Sequence, residues 1–572
     1  MTSFSGLRHH CLSQRGSVLP LAMIAMLLFS VLGFTLVAMG TTELTISGSW
    51  KQYSAAFYGA EAGVESAVVT LRGLLAGTPT PTNADLAAIT APTLPDPKLT
   101  FTAFSVTRVV PNPPYSYPTT FTTGPYAGFS GQVTDYLITS EVRGDNSTKS
   151  RQTQIVRYVQ VPLFQFGVFY GKGVDLEIAP GANMTFNGRV HANSNLYVGA
   201  GASLDFDSTI TAAGSVFRRI KRDSSVPWGN NPQIKDSGGT YHQLNFDHDY
   251  QPGFGSTWTP SAWQAQAAST FGNTVRDQAM GVGQIVPPVP ALFYDPVDPD
   301  VVAHQLIEVA DMSDAPDLRA AKMYSKSGLR IVNGAATDMS GNPVSLPGGV
   351  ITNTTFYDMR EQWTMNIVQV DMGLLRSSGI APANGVLYVA TTGTPGAAVR
   401  LVNGSQLPSQ GLTVVSENPV YIRGDYNTVA KVPAAVLADA ITVLSNNWAA
   451  NGSDTKGALG TSTRPATATT VNAALALGPS VESSLNNGNG QLENDIRFLE
   501  DWNGQNLTYR GSIVDLWHSQ QATGLWRCCG TGGTLYYTPP TRIWSYDTLF
   551  NTNPPPGTPQ GVLILRGPWA QK

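Results

Sequence analysis

An uncharged, apolar run near the N-terminus constrains the fold of this chain more than any other feature. No Asp, Glu, Lys or Arg occurs from Ser17 to Thr42, and residues 17–39 are almost wholly apolar. At about 1.5 Å per residue, an α-helix of this length crosses a hydrocarbon core about 30 Å thick. Arg8 and Arg15 precede the run, and Glu43 is the first charge after it. The positive-inside rule therefore predicts a cytoplasmic N-terminus and export of everything after residue 42.

The helical pattern continues past the apolar run, which a cleaved secretory signal peptide does not require. Apolar side chains recur at alternating steps of three and four, which places them on one stripe of a helix. The stripe consists of Trp50, Tyr53, Phe57, Ala60, Val64, Ala67, Leu71 and Leu75. The sequence predicts one helix over residues 17–75, about 90 Å long, with its first half in lipid and its second half on a globular domain. A plain signal anchor is the simpler alternative.

Two strings in this region resemble a known family. They are Gln14-Arg15-Gly16-Ser17-Val18-Leu19, and Ala55-Ala56-Phe57-Tyr58-Gly59-Ala60-Glu61-Ala62-Gly63. Together they resemble the PilX N-terminal domain of type IV pilus assembly proteins, and the resemblance covers about the first 75 residues. It implies that residues 1–16 are a basic leader removed by prepilin peptidase, with Gly16 the last leader residue and Ser17 the mature N-terminus. It also implies that the mature helix packs among the helices of other pilins.

One position departs from the pattern of major pilins. Their fifth mature residue is Glu, whereas this chain has Leu21. In the family that carboxylate is thought to pair with the N-terminal amine of a neighbouring subunit, which matters in lipid because a lone buried charge is costly. Its absence favours a place at a filament tip, where no neighbour has to be engaged on that side.

An antiparallel β-region is predicted after the helix. Residues 99–110, 134–143 and 151–164 form three β-like runs, and Gly144-Asp145-Asn146 supplies turn residues between the last two. We therefore expect residues 76–165 to form an antiparallel β meander. A long helix followed by such a meander is also the order of elements that the pilin resemblance implies.

A twenty-residue repeat follows the meander. Residues 174–192 align with residues 194–212, pairing Leu176 with Leu196 and Phe186 with Phe206. Short strands with glycine corners at this spacing are typical of a parallel β-helix. The same spacings return later, so the predicted β-helix combines residues 166–222, 385–445 and 505–516. Residues 223–384 are predicted to be an inserted α+β region, and residues 517–572 an irregular C-terminal tail.

Composition argues against several classes of function. Only 13% of residues are charged and the net charge is -4, so the basic footprint of a nucleic-acid-binding domain is missing. The three cysteines are Cys11, Cys528 and Cys529, which suit neither a disulfide framework nor a metal knuckle. The adjacent pair leaves a vicinal disulfide and two free thiols both open.

No catalytic, cofactor-binding or metal-binding residue is predicted. Asp175, Glu177, Asp205 and Asp207 form a carboxylate patch in neighbouring repeats, but the outward face of amphipathic strands explains them better. Asp247-His248-Asp249 offers metal-ligand atoms without a second ligand set. Trp502, Trp517 and Trp526 are able to stack on sugars, yet such residues more often fill a core.

The predicted fold class is mainly β with a long N-terminal α-helix: a pilin-like helix and antiparallel meander, then a parallel β-helix with an α+β insertion. The resemblance implies a type IV pilus assembly or minor pilin-like protein, not an enzyme, that presents a large β-helical head at a filament tip or cell surface for pilus biogenesis or adhesion.

Expected partners are other pilins, prepilin peptidase, the inner membrane and a surface ligand or glycan, but not nucleic acid; the location is the inner membrane, crossed once. The alternative is a membrane-anchored β-helix protein that binds or cleaves extracellular polysaccharide. Carboxylates that converge in a groove along the solenoid would favour that alternative.

Overall fold

The computed structural model describes residues 18–78, 80–144, 148–171, 173–221, 228–253, 258–286, 299–392, 395–481, 489–529 and 534–571. The predicted leader cleavage site, Gly16 and Ser17, lies outside the described residues, as do Cys11 and the turn residues Asp145 and Asn146. Within these ranges the helices are α1 (Val18–Gly77), α2 (Asn83–Ala87), α3 (Pro260–Phe271), α4 (Pro299–His304), α5 (Pro316–Ala321), α6 (Met323–Lys326) and α7 (Met372–Ser377).

Strands make up most of the remaining regular structure. The first four are β1 (Thr100–Arg108), β2 (Tyr117–Thr120), β3 (Ser130–Arg143) and β4 (Lys149–Pro162). A series of short strands follows: β5 (Val168–Tyr170), β6 (Leu176–Ile178), β7 (Met184–Phe186), β8 (Val190–Ala192), β9 (Leu196–Val198), β10 (Leu204–Phe206), β11 (Ile210–Ala212), β12 (Val216–Phe217), β13 (Gln233–Lys235), β14 (Tyr241–Gln243) and β15 (Val275–Arg276).

The second half of the chain contains longer strands. They are β16 (Leu329–Val332), β17 (Ala335–Asp338), β18 (Ile351–Asp358), β19 (Trp363–Asp371), β20 (Val386–Ala390), β21 (Ala397–Val402), β22 (Leu412–Val415), β23 (Val420–Arg423), β24 (Ala434–Leu437), β25 (Ile441–Leu444), β26 (Thr469–Asn472), β27 (Ala474–Leu477), β28 (Ile496–Arg497), β29 (Asn506–Gly511), β30 (Ile513–Asp515), β31 (Thr541–Tyr546) and β32 (Gln560–Gln571). The predicted class, mainly β with one long N-terminal helix, is confirmed.

The helix and an antiparallel sheet form the first unit. Strands follow the order β1-β3-β4-β32, and β2 pairs with the free end of β3. Strands β3 and β4 run antiparallel from Gln132 opposite Gln160 to Arg143 opposite Lys149. The sheet packs apolar side chains against α1, as expected of a half-buried strand. Polar Gln152 also faces the helix and donates to the carbonyl oxygen of Phe57 at 3.0 Å.

The prediction of an irregular C-terminal tail over residues 517–572 is wrong at residues 541–546, where β31 pairs in parallel with β29, and at residues 560–571. Strand β32 pairs antiparallel with β4 along most of its length, from Gln560 opposite Pro162 to Gln571 opposite Gln152. It thereby completes the sheet under the helix. The apolar residues at the chain end form a strand because they pair with β4, which lies some 400 residues earlier. No local sequence pattern indicates that pairing.

A parallel solenoid forms the rest of the body. Its first coils stack strands twenty residues apart, so that Leu176 lies opposite Leu196 and Val190 lies opposite Ile210. The repeat seen in the sequence is therefore a repeat of coils, each of which buries its inward side chains on its neighbours. The largest hydrophobic core runs through both the early coils and the late coils.

The two sets of coils meet at a joint. Within the described residues, an eleven-stranded sheet runs through it in the order β15-β11-β8-β5-β30-β27-β24-β22-β20-β16-β17. At the joint β5 pairs in parallel with β30, and Val168 lies opposite Ile513. The first coil of the chain is thus stacked on one of its last.

The predicted insertion, residues 223–384, is in part solenoid. Strand β13 pairs with β10, β15 with β11, β16 with β20, and β19 with β21, all in parallel. These strands lack the twenty-residue spacing because helices and hairpins are inserted between them. The boundaries drawn from the spacing alone were for that reason too narrow.

Candidate functional site

The first half of α1 is an apolar surface with no protein cover. Leu28 is 62% exposed and Phe34 is 81% exposed. No residue of the most apolar 18-residue window of α1 is buried, and among the described residues this helix alone is long and apolar enough to cross a membrane. A soluble chain rarely leaves so large an apolar surface open to water.

The second half of α1 is covered by the sheet on one side. Its buried residues are Ala56, Gly59, Ala60, Gly63, Val64, Ala67, Val68, Leu71 and Leu75. The larger of them pack against apolar side chains of β1, β3 and β4, among them Val106, Ile138 and Val156. The predicted stripe is correct from Ala60 onward, but wrong at Trp50 and Tyr53, which are 65% and 38% exposed.

Two glycines bring the helix close to the sheet. A Cβ atom on Gly63 would lie 2.3 Å from Ser140 Oγ and 2.7 Å from a ring carbon of Phe101. A Cβ atom on Gly59 would lie 3.2 Å from a methyl carbon of Val142. Any side chain at position 63 would push the helix off β3, so the close approach requires glycine there.

The last strand also holds the helix from its outer edge. The Arg566 guanidinium donates two hydrogen bonds to the Glu65 carboxylate, of 2.5 and 2.7 Å. Gln571 Nε2 donates to the hydroxyl of Tyr53. Strand β32 is anchored in turn on β4, since Gln154 Nε2 donates to the carbonyl oxygen of Gly567 at 2.8 Å. Helix, sheet and chain end therefore form one clasp.

A second candidate site is a cleft at the solenoid joint. Among the described strands, only the eleven-stranded sheet runs through the joint without a break. The sheets that end at β6 and β7 do not pair with the sheets that end at β28 and β31. The corners left between them enclose a cleft of about 980 Å³, which is within the range of ligand sites. Residues 179–184, 490–493, 503–504 and 539–542 line it, together with Trp228 and Trp526. We call this the joint cleft.

Both tryptophans of the joint cleft are half-buried and fixed in place. Trp526 Nε1 donates to the hydroxyl of Tyr537 at 2.9 Å. Its ring lies so close to Gly490 that an added Cβ atom would be 2.7 Å from the indole. Trp228 is seated in the same way on Gly199, with a corresponding distance of 2.7 Å. The prediction that these tryptophans cap or fill a core holds for Trp502 and Trp517, which are fully buried. Trp526 is half-buried against the core that contains Trp502, and it also lines the cleft.

The adjacent cysteines form a disulfide beside Trp526. The structure joins Cys528 to Cys529, which decides between the two possibilities that the sequence left open. Cys528 is buried, whereas Cys529 is exposed and lines the joint cleft. The disulfide therefore contributes a flat, polarisable surface to the wall of the cleft.

Two carboxylates line the joint cleft from within. Glu177 Oε1 accepts hydrogen bonds from Gln491 Nε2 at 2.9 Å and from the backbone amide of Lys221 at 3.1 Å. Glu493 Oε1 accepts one from the amide of Ala179 at 3.1 Å. Burial, and to a lesser extent the Glu177 charge, raise the pKa of Glu493 to about 7. Glu177 alternates with the core residues Leu176 and Ile178 and so lies on the outward face of β6, as expected, but it is only 6% exposed because the segment that contains Gln491 covers it.

The other predicted carboxylates do not join this site. Asp207 pairs with Lys235 at 3.1 Å on a different face of the solenoid, directly after β10, and Asp205 lies within β10. Asp175 accepts a hydrogen bond from Ser194 Oγ at 2.5 Å. Asp175 and Asp207 thus pair with nearby residues of the solenoid, and Asp205 is partly exposed, as the amphipathic interpretation predicted.

The Asp247 cluster organises a turn. Asp247 Oδ1 accepts the amides of Asp249 and Tyr250, both at 2.8 Å, and Asp247 Oδ2 accepts the amide of Arg218 at 2.8 Å. His248 Nδ1 lies 3.0 Å from Asp277 Oδ2. Throughout the described ranges, no group of three or more His, Cys, Asp or Glu side chains is placed to hold a metal ion.

Comparison with known proteins gives a partial likeness to solved structures. No family model and no curated protein match this chain. The crystal structure of the competence-associated pilin ComZ from Thermus thermophilus aligns over 91% of this chain and 97% of its own, at 12% identity and a TM-score of 0.29. A score this low does not define a common fold. The resemblance to the PilX N-terminal domain remains a prediction.

Proposed function

We propose that this protein is a pilus-related, minor pilin-like subunit that carries its β-body on a membrane-inserted helix. The observation that supports this most strongly is the contrast along α1. One half is apolar and uncovered, and the other half is held by an antiparallel sheet without a break in the helix. A helix of 60 residues is about 90 Å long, far more than a bilayer requires.

The proposed mechanism is positional. The uncovered half first resides in the inner membrane and then packs among the helices of other pilins, which replaces lipid contacts by helix contacts. The clasp makes the body move with the helix, so that a force on the helix reaches the body without passing through a flexible linker. The body lies outside the cytoplasm, since Arg8 and Arg15 keep the N-terminus inside.

The proposal includes processing and a tip position. Prepilin peptidase removes residues 1–16, between Gly16 and Ser17. Leu21, where major pilins have Glu, is 70% exposed and belongs to the uncovered apolar half. Leu21 has no carboxylate to pair with a neighbour's N-terminal amine. A subunit with leucine at this position therefore suits the end of a filament, where it starts assembly or mediates adhesion.

Fractionation of the producing cells tests this function. The protein is followed by immunoblot in membranes and in sheared surface filaments, and the N-terminus of each form is sequenced. We expect a mature form that begins at Ser17 in both fractions, and a Gly16→Glu variant that stays unprocessed in the membrane. An intact Met1 in the wild-type protein, together with its absence from filaments, would contradict the proposal.

One observation favours the second candidate, a membrane-anchored protein that cleaves polysaccharide. Glu177 and Glu493 both line the joint cleft, and a pKa of about 7 for Glu493 suits a general acid. Both carboxylates, however, are more than nine-tenths buried and accept backbone or amide hydrogen bonds that hold the two solenoid segments together. We therefore propose that they are structural and that the protein is not an enzyme.

Release of reducing ends decides between these roles. The purified full-length protein is incubated with soluble polysaccharides such as laminarin and xylan, next to Glu493→Gln and Glu177→Gln variants. We expect no release above the no-protein blank for any of them. Turnover by the wild type that either variant abolishes would establish the enzyme instead.

A further inference from the structure

The joint cleft is a preformed cavity with an unfilled interior. Its walls are corners of two solenoid segments, and each segment is fixed by its own ladders of parallel strands. Gly181, at one corner, is exposed and has no atom within 4 Å of the place where its Cβ would be. Packing therefore does not require glycine at position 181, and no positive φ does either. The small residue leaves the cleft open.

The walls of the joint cleft present flat apolar surfaces with amide side chains beside them. Trp228 and Trp526 offer ring faces, and Cys529 adds the disulfide. Asn183 and Asn503 lie at the rim, and an amide side chain both donates and accepts hydrogen bonds. This combination matches a sugar chain, whose rings have apolar C–H faces and whose hydroxyl groups likewise donate and accept.

The charges of the cleft argue against a polyanion. Lys221 pairs with Asp175 at 3.3 Å, and Arg542 lies along the same walls as Glu177 and Glu493. Arg542 already donates to the carbonyl oxygen of Glu493 at 2.8 Å. Binding of a phosphate backbone depends on an excess of positive charge, which these walls do not provide.

An extended peptide is disfavoured at the open sheet edge. A peptide would add as a strand by bonding to the free amides of an edge strand. Beside β6, the amide of Ala179 already donates to Glu493 Oε1 and the Glu177 side chain already holds Gln491. The turn at residues 492–494 thus occupies the place that a peptide strand would take.

We infer that the joint cleft binds a saccharide chain, with its rings on Trp228 and Trp526 and its hydroxyl groups on the amides of Asn183 and Asn503. This assigns a ligand class to the body and so deepens the proposed display function. The recognition itself needs only the folded body. The bound sugar is not cleaved, consistent with the structural role proposed for the two carboxylates.

Binding is measured on the full-length protein in detergent, by tryptophan fluorescence titration and by affinity electrophoresis. The probes are tetra-N-acetylchitotetraose, laminarin and xylan, with a 20-nucleotide DNA and a mixed peptide library as separate arms. We expect at least one saccharide to bind. Gly181→Tyr, which fills the cleft, and Trp526→Ala, which removes a ring face, should each weaken binding tenfold or more.

Matched variants separate loss of the site from loss of folding. Gly460 is exposed and has the same open surroundings as Gly181 but lies away from the cleft, so Gly460→Tyr is the control for bulk. Trp363 is 53% exposed on β19, so Trp363→Ala is the control for a lost indole. Both controls should bind within twofold of the wild type. Asn503→Ala, at an exposed rim position, should weaken binding even if Trp526→Ala misfolds.

Three results would overturn the inference: no saccharide probe binds, binding persists unchanged in Gly181→Tyr and Asn503→Ala, or the cleft variants abolish binding of DNA or peptide instead. The assay measures saccharide binding by purified protein, so a negative result would leave the proposed anchoring function untouched. A protein absent from filaments can still bind sugar, and a protein present in them can fail to.

Discussion

The two halves of α1 share one helix but not one environment. Up to about residue 50 the large apolar side chains point outward and none of the most apolar window is buried. Beyond it, small and apolar residues alternate on a buried face while Glu61, Glu65 and Arg72 remain exposed on the other. The comparison teaches that helix continuity and helix cover are separate properties, since α1 continues unbroken through the point where its cover by the sheet begins.

The cover itself depends on both ends of the chain. Arg566 and Glu65 are 501 residues apart in sequence, yet they form two hydrogen bonds. Strand β32 reaches the sheet only after the whole solenoid has been made. The clasp is therefore complete only when β32 is present, whereas the uncovered half of α1 needs no partner from later in the chain.

Removal of β32 is the change with the largest expected effect on this contrast. A chain that ends at Pro559 loses a twelve-residue strand and the buried Val562 and Leu563. We expect the loss to exceed about 5 kcal/mol, beyond the usual range of a single substitution, and the second half of α1 to become as protease-sensitive as an uncovered helix. Limited proteolysis in detergent measures it.

A shorter truncation is the control for that experiment. A chain that ends at Gly567 keeps both buried side chains and Arg566, and the described residues that it loses, 568–571, are all exposed. It should resist protease nearly as well as the full chain. Equal sensitivity of the two truncated chains would mean that the chain terminus, and not the buried part of β32, holds the helix.

Replacement of one leucine by alanine in each half of α1 should change the stability of the protein unequally. Leu71 is fully buried and Leu28 is 62% exposed. Leu71→Ala should lower the free energy of unfolding by about 2–5 kcal/mol, because it leaves a cavity against the sheet. Leu28→Ala should leave it unchanged, since no protein atom covers that side chain. Denaturant titration in detergent, followed by circular dichroism, measures both, and similar losses would show that the halves are not distinct.

Local periodicity was enough to predict the helix and the first coils. The predicted helix, residues 17–75, is close to the observed Val18–Gly77, because apolar and amphipathic periods both act within a few residues. The twenty-residue repeat is equally local, since each ladder partner of Leu196 or Val190 lies one coil away. In these elements each residue contacts partners that are close in sequence, so a local pattern is enough to identify them.

The clasp and the joint cleft could not be predicted from local periodicity. Strand β32 and the pair β5 and β30 join segments hundreds of residues apart, and nothing in either segment specifies its partner. Glu177, Glu493 and Trp526 meet for the same reason. The one available signal was the position of Trp526 beside Cys528 and Cys529, but without the joint it did not distinguish a core tryptophan from a cleft tryptophan.

A glycine pair within the covered half tests how closely the sheet approaches. An added Cβ on Gly63 would collide with Ser140 and Phe101, whereas on Gly73 it would meet nothing within 4 Å. Gly63→Ala should therefore destabilise the clasp by about 1–3 kcal/mol through overpacking. Gly73→Ala should stabilise it by roughly 0.5–1 kcal/mol, because alanine favours the helix. If both variants gained stability, the close approach of helix and sheet would be refuted.

The ion pair between helix and last strand should have the smallest effect. The Glu65 and Arg566 side chains are 48% and 45% exposed, so solvent screens their attraction in spite of the two-pronged geometry. We expect a coupling free energy of about 0.2–1 kcal/mol from a double-mutant cycle of Glu65→Gln and Arg566→Gln. Raising the salt concentration to about 1 M, where the screening length is about 3 Å, should reduce it further. A coupling several times larger and insensitive to salt would mean that this pair, and not apolar burial by the sheet, distinguishes the covered half of α1 from the uncovered half.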